Sequence, residues 1–202
     1  MELGVLSLTP ERWHDLVELF SRPGRARGSA DVRQCWCMYY RRSGTSGPGR
    51  IGRKAHFGGS PAENKLALRS LVDRGTVPGL IGYRNGRPVG WISLGPREAY
   101  ARLRRSPMMK PVDDKPVWSI VCFFVDAGER GKGTSGALLR AAVDYARSRG
   151  ATPLEAYPVD KKSGSYPAWF GAKSIFDRAG FKVVARRNET RLVMRRRLVR
   201  RT

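Results

Sequence analysis

The chain has 202 residues, 41% of them hydrophobic, enough for one sizeable core, and its three cysteines are too few and odd in number for a secreted disulfide framework. The formal net charge of +22 would draw nucleic acid, anionic membrane surface or small anions, but the basic residues are scattered from Arg12 to Arg201 rather than gathered on one reading element. No basic-then-apolar segment with a cleavage site opens the sequence and no apolar run approaches membrane-spanning length, so a cytoplasmic protein without a membrane partner is expected.

Leu3 to Leu8 reads as a short strand, and Thr9 with Pro10 opens a helix whose Trp13, Leu16, Val17 and Phe20 share one face. Ser21 to Ala30 is a Gly- and Arg-rich loop. The aromatic stretch Gln34 to Tyr40 fits a strand, on which Cys35 and Cys37 would share one face and Trp36 the other. Ser43 to Gly59, rich in Gly and Ser, is a connection that could fold over a site as a lid. Ser60, Pro61 and Glu63 make a capping box for a helix that Gly75 stops. Two apolar runs, Leu80 to Arg84 and Arg87 to Leu94, flank Asn85-Gly86, a tight-turn signal that predicts a hairpin. After a basic, Pro-containing connection, Val117 to Val125 is a continuous apolar run of strand length, expected to be buried on both faces. A helix over Gly133 to Arg149 ends at Gly150, followed by a strand at Pro153 to Tyr157, a helix near Ala172 to Ala179 and two strands around Asn188-Glu189. Helices alternate with strands, so the class is α/β, in one domain spanning 1–202 with a basic tail from about 195–202.

The stretch Val125-Asp126-Ala127-Gly128-Glu129-Arg130-Gly131-Lys132-Gly133-Thr134-Ser135-Gly136 carries the chemistry. A buried strand runs into a glycine-rich turn that opens a long helix. Gly131 and Gly133 let backbone N–H groups approach an anion, the helix start adds unpaired donors, and Arg130 and Lys132 add positive charge. The turn lacks the Walker spacing, and its Gly-x-Gly-x-x-Gly letters fall too late in the chain for a dinucleotide fold. A glycine-rich strand-to-helix turn with no ligand is the plainer alternative.

This segment resembles motif A of the GNAT superfamily of N-acetyltransferases, Arg/Gln-x-x-Gly-x-Gly/Ala, with Arg130, Gly133 and Ser135 in its three places and Ser135 a departure. Phe176-Asp177-Arg178-Ala179-Gly180-Phe181 resembles the family's last helix and the Gly-Phe that follows it. Asn85-Gly86 with Pro88-Val89-Gly90-Trp91 resembles its second and third strands. Gln34 to Tyr40 and Pro116 to Cys122 further resemble a largely uncharacterised actinobacterial branch. The resemblance implies a mixed, splayed central β-sheet flanked by helices. It also implies acetyl-CoA as cosubstrate, with its pyrophosphate on Arg130, Gly131, Lys132, Gly133, Thr134, Ser135 and Gly136 and its pantetheine arm on Phe123, Phe124 and Val125. A primary amine would attack the thioester directly, with no metal and with a monomer or homodimer as the working unit.

Acid–base residues do not carry over. Where the family often has a tyrosine proton donor the chain has Phe176, and Trp169 stands at the position of a frequent asparagine. Glu155 is a candidate base or else a solvated or salt-bridged carboxylate, and Tyr157 and Tyr166 are candidate proton donors. Cys122 reads as a small buried hydrophobe, His14 and His56 have no evident partners, and Cys35 with Cys37 lacks the further ligands a zinc site needs. The charge disfavours polycationic acceptors. Two other readings stay open: a basic nucleic-acid-binding module, and a CoA-binding sensor without catalysis.

Overall fold

The computed structural model describes residues 3–22, 29–42, 59–160 and 168–199. The strands are β1 (Gly4–Ser7), β2 (Gly79–Arg84), β3 (Arg87–Pro96), β4 (Trp118–Val125), β5 (Leu154–Ala156), β6 (Lys182–Arg186) and β7 (Leu192–Arg196). They form one seven-stranded sheet in the order β1-β2-β3-β4-β5-β7-β6. Every neighbouring pair is antiparallel except β4–β5, which is parallel. The helices are α1 (Trp13–Ser21), α2 (Ser29–Cys35), α3 (Pro61–Asp73), α4 (Thr134–Ser148) and α5 (Lys173–Arg178). The mixed α/β class and the open sheet flanked by helices are as expected, and no described helix is long and apolar enough to cross a membrane.

Local signals act as their chemistry dictates. Asn85 and Gly86 both take positive φ, 52° and 75°, which a two-residue turn between right-twisted strands requires. In front of α3, the Ser60 side chain accepts from the Glu63 N–H while the Glu63 carboxylate accepts from the Ser60 N–H. Thr9 and Pro10 instead open a short 3-10 turn, Pro10–Arg12, that runs into α1, and Thr9 supplies no cap bond to the backbone.

The expected strand over Gln34 to Tyr40 is not one. Its first residues finish α2, and Trp36 and Cys37 then take φ of 47° and 52°, a left-handed turn that no ladder can accommodate. Tertiary packing overrides strand propensity here. Trp36, Cys37 and Met38 are buried against α1, α3 and the sheet, with Trp36 stacked on Trp13 at 6.0 Å and tilted against Phe20 at 5.4 Å. Cys35 and Cys37 therefore share no strand face.

Three apolar clusters cover the sheet. One joins α4 and α5 to β2, β3, β4, β5 and β7 through Ile92, Ile120, Phe123, Leu138 and Met194. A second lies beneath α1, α2 and α3 around Leu16, Phe20, Leu68 and Trp91. The third gathers Tyr100, Leu103 and Met109 of the β3–β4 connection against Val121, Tyr157, Phe170 and Val193. The basic tail expected from about residue 195 begins with two arginines that belong to β7 and are bonded within the fold.

Candidate functional site where the sheet parts

The parallel β4–β5 pairing lasts only three residues, Trp118↔Leu154, Ser119↔Glu155 and Ile120↔Ala156. Past that point β5 ends, and Val159 bridges instead to Ala172 and Arg191. The outer half of β4 keeps β3 on one edge and has no β5 partner on the other. This parting also explains why the Val117–Val125 run is not buried throughout: Cys122, Phe124 and Val125 are only half-buried.

At the same place the β3–β4 register slips between Ser93 and Leu94, so that Ser93 faces Cys122 and Leu94 faces Ile120. Val121 is the extra residue of a bulge. Its effect is visible in the packing. Ile120 and Phe123 join the cluster under α4, whereas Val121 and Cys122 both face the opposite side. Bulge and parting coincide at Val121–Cys122, the inner end of the gap.

The outer end leads into the glycine turn. Asp126 is pinned by Arg22, whose guanidinium donates to its carboxylate at 2.8 Å and to the Pro88 carbonyl at 2.6 Å. Burial is the largest influence on Asp126 and would raise its pKa, but the Arg22 bond, the Gly128 N–H and the positive charge of Arg22 and Arg87 together outweigh it, and the carboxyl lies below its ordinary range. A 3-10 turn, Ala127–Glu129, follows, and then Arg130 to Gly133 lead into α4. Gly131 and Gly133 have φ of 76° and 77°, strained for any other residue. A Cβ at either would meet nothing within 4 Å and would project into open space. The first bond of α4 runs from the Ala137 N–H to the Gly133 carbonyl at 3.1 Å. Among the described residues, the amides of 131–136 find no acceptor, and they stand at the positive end of a fifteen-residue helix. Arg130, Gly131, Lys132 and Gly133 are exposed, and Thr134 is buried with its hydroxyl donating to the Glu129 carbonyl at 3.1 Å. Glu129 accepts from Arg84 at 2.7 Å and from Lys132 at 3.2 Å, and these bonds lower its pKa. An open cleft of about 330 Å³, lined by Arg84, Arg87, Asp126 and Glu129 among others, lies between this turn and the β2–β3 hairpin.

The candidate acid–base residues lie at the other end, where β4 and β5 are joined. Glu155 is 0% exposed, which excludes the solvated alternative and makes it a salt-bridged carboxylate. One of its oxygens accepts from Arg195 at 2.6 Å, and the other accepts from the Tyr157 hydroxyl at 2.7 Å and lies 3.6 Å from Arg97. Arg195 also forks onto Asp113 with bonds of 2.7 and 3.0 Å. Tyr157 is buried, its hydroxyl 3.0 Å from that of Ser119, and desolvation together with the Glu155 charge holds its pKa well above the usual phenol value. Ser119 precedes Phe123 by four strand residues, roughly 13 Å of extended chain. The pair and the glycine turn thus sit at opposite ends of β4.

Phe176 is fully buried, edge-on to Phe123 at 6.0 Å and to Phe181 at 5.3 Å, so its position offers no hydroxyl. Trp169 is half-buried beside Phe170. His14 is exposed on α1. His56, Tyr166 and most of the Ser43–Gly59 segment lie outside the described residues. Sequence reasoning missed the partners Arg97 and Arg195 of Glu155, the fork of Arg195 onto Asp113, the Arg22–Asp126 clamp, and the approach of Cys37 to Cys122. Each joins positions far apart in the chain, and no local pattern marks them.

The described fold is a helix-flanked mixed sheet, parted and bulged at its central strand, with bare amides at a helix start at the mouth of the parting, where an anion is favoured. Residues 53–167, over half the chain, match the family model described as Acetyltransferase (GNAT) family, and the protein belongs to that family. Among solved structures it is similar to an N-acetyltransferase from Staphylococcus aureus Mu50, with 13% identity, 98% of this chain and 100% of that one covered and a TM-score of 0.55. It is similar to an acetyltransferase from Corynebacterium glutamicum described as related to a histone acetyltransferase, with 18% identity, 100% and 99% covered and a TM-score of 0.54. It is also similar to the PaiA N-acetyltransferase from Thermoplasma acidophilum solved with coenzyme A, with 15% identity, 98% and 99% covered and a TM-score of 0.52. At these identities the likeness is one of fold. No curated protein sequence matches the chain.

Proposed function

We propose that the protein is an acetyl-CoA-dependent N-acetyltransferase that passes an acetyl group to a primary amine by direct attack. The observation that carries this reading is the continuity of the edge of β4 left without a β5 partner with a turn whose amides have no acceptor among the described residues. A pantetheine arm has amides that can pair with such an edge, and its pyrophosphate suits such a turn. Phe123, Phe124 and Val125 would hold the arm through backbone groups. The amides of Gly131 to Gly136 would hold the pyrophosphate, with Arg130 and Lys132 adding charge and Thr134 contributing its N–H alone, since its hydroxyl is engaged. Glycine at 131 and 133 keeps the cradle clear of side chains.

Acetyl-CoA supplies the electrophilic thioester carbonyl, and the acceptor must arrive as a neutral amine. In this reading the bulge at Val121 positions the inner end of the gap. Glu155 and Tyr157 act as a positioning pair that keeps β4 and β5 joined behind it, because a carboxylate already bonded to an arginine and a phenol is a poor proton acceptor. Neutral or anionic amines fit the +22 chain better than polycations.

Calorimetric titration of acetyl-CoA into the wild type and into an Arg130→Ala, Gly133→Asp double variant, at moderate salt, tests the proposal. Stoichiometric binding that the variant abolishes is expected, followed by thiol release in a screen of primary amines. Equal binding by both proteins would reduce the effect to nonspecific attraction by the net charge, and binding by neither would overturn the reading.

A further inference from the structure

All three cysteines of the chain converge at the inner end of the gap, although Cys37 and Cys122 are separated by 85 positions. Cys37 is buried in the left-handed turn after α2, and its thiol donates toward the Cys122 sulfur at 3.5 Å. Its sulfur accepts from the Trp91 indole N–H at 3.2 Å, which holds it in place, and its backbone N–H points at the Cys35 sulfur at 3.3 Å. Cys122 is half-buried and sits directly after the bulge residue. No group of three His, Cys, Asp or Glu side chains among the described residues is arranged to hold a metal ion.

We infer that Cys37 and Cys122 are an oxidisable pair, a site at which a peroxide joins the turn after α2 to β4 through a disulfide. A disulfide needs its sulfurs about 2.05 Å apart, a closure of about 1.5 Å from the separation present. The chemistry assigns an order to the two thiols. Cys122, the more accessible, gives up its proton and attacks the peroxide O–O bond as its thiolate; it becomes a sulfenic acid, and the departing hydroxide with that proton makes one water. The Cys37 sulfur then attacks the sulfenic sulfur, the S–O bond breaks, and the departing hydroxide takes the Cys37 proton as a second water. Two thiols lose two electrons and the peroxide gains them. Its bond to Cys122 and its burial raise the Cys37 pKa, so the peroxide is met first by Cys122, and the hydroxide leaving the sulfenic sulfur is the base that takes the Cys37 proton. The crosslink fixes Cys122 beside the strand edge proposed for the pantetheine arm, so oxidation should slow acetyl transfer. That consequence rests on the transferase reading, whereas bond formation does not.

The test treats the full-length protein with a small excess of hydrogen peroxide and reads intact mass, free thiols and the disulfide-linked peptides. A loss of two hydrogens, one remaining thiol of three and a Cys37–Cys122 peptide pair are expected, in the wild type and in Cys35→Ser alike. Cys37→Ala should form no crosslink and should leave a Cys122 sulfenic acid that dimedone traps. Three surviving thiols, a bond to Cys35, or sulfinic acid at Cys122 without a crosslink would each overturn the inference. Once the bond is present, acetyl transfer should fall at least tenfold and return with dithiothreitol. Full transfer by the crosslinked protein would overturn the regulatory role. A disulfide in a protein that transfers nothing even when reduced would count against the function proposed above and leave the thiol site standing.

Discussion

The two ends of β4 use polar groups in opposite ways. At the joined end, both oxygens of Glu155 are occupied by Arg195 and Tyr157, Arg195 is forked onto Asp113, and Ser119 and Tyr157 share a hydroxyl contact. At the open end, the amides of 131–136 are bonded to nothing among the described residues, and the residues that carry the first of them are exposed. Buried polar groups are costly unless satisfied, so the joined end has the character of a structural anchor. Donors left bare at a helix start are tolerated because water serves them until an anion arrives, so the open end has the character of a binding site.

Substitutions at the two ends should separate stability from binding, and the largest effect is expected at the anchor. Glu155→Ala leaves the buried Arg97 without its carboxylate and Arg195 with Asp113 alone. Loss of about 3–5 kcal/mol of unfolding free energy is expected in urea titrations. A near-neutral result would mean that water or Asp113 replaces the carboxylate and that the anchor is not one. At the cradle, Gly133→Asp should weaken acetyl-CoA binding by about 100-fold or more, since the new carboxylate would occupy the phosphate position. It should cost only about 1–2 kcal/mol of stability, for a residue at φ 77°. If instead the fold collapses while affinity in the surviving protein is unchanged, the assignment of the open end fails.

Tyr157→Phe sharpens the comparison further. It removes one bond to Glu155 without removing charge, so a loss of about 1–3 kcal/mol in stability is expected. Acetyl-CoA affinity should be unchanged, and kcat should hold within a few-fold with the same pH profile. A shifted pH profile would reassign the phenol to proton transfer. The smallest effect concerns Asp113, whose pKa is lowered chiefly by the Arg195 bond. A depressed carboxylate contributes stability that is complete above its unfolded value, about 3.9, and is lost as pH falls through the lower folded value. Thermal unfolding of the wild type should therefore drop as pH falls below about 4, and Asp113→Asn should flatten that drop. Parallel curves for the two proteins would show that Asp113 plays no part.

Much of this was legible in order along the chain. The capping box at Ser60, the hairpin at Asn85-Gly86, the glycine stops at Gly75 and Gly150, and the turn from Val125 to Gly136 are short-range patterns. Each is set by backbone geometry within a few residues, so local sequence determined them; the family resemblance they carry implied a splayed sheet, and the structure ends the β4–β5 pairing at Ile120, inside the Val117–Val125 run. Tertiary structure decided the rest. Gln34 to Tyr40 has strand propensity and became the end of a helix and a left-handed turn, because burying Trp36 against Trp13 and Phe20 outweighs a propensity worth under about 1 kcal/mol. Glu155 stayed ambiguous in sequence because its partners Arg97 and Arg195 come from a connection and a strand far from it in the chain. Only the folded register, Ser119 opposite Glu155 and Glu155 opposite Arg195, brings those charges together. The bulge at Val121, and with it the meeting of Cys122 and Cys37, likewise exists only between strands, since a slipped pairing has no meaning for one strand alone.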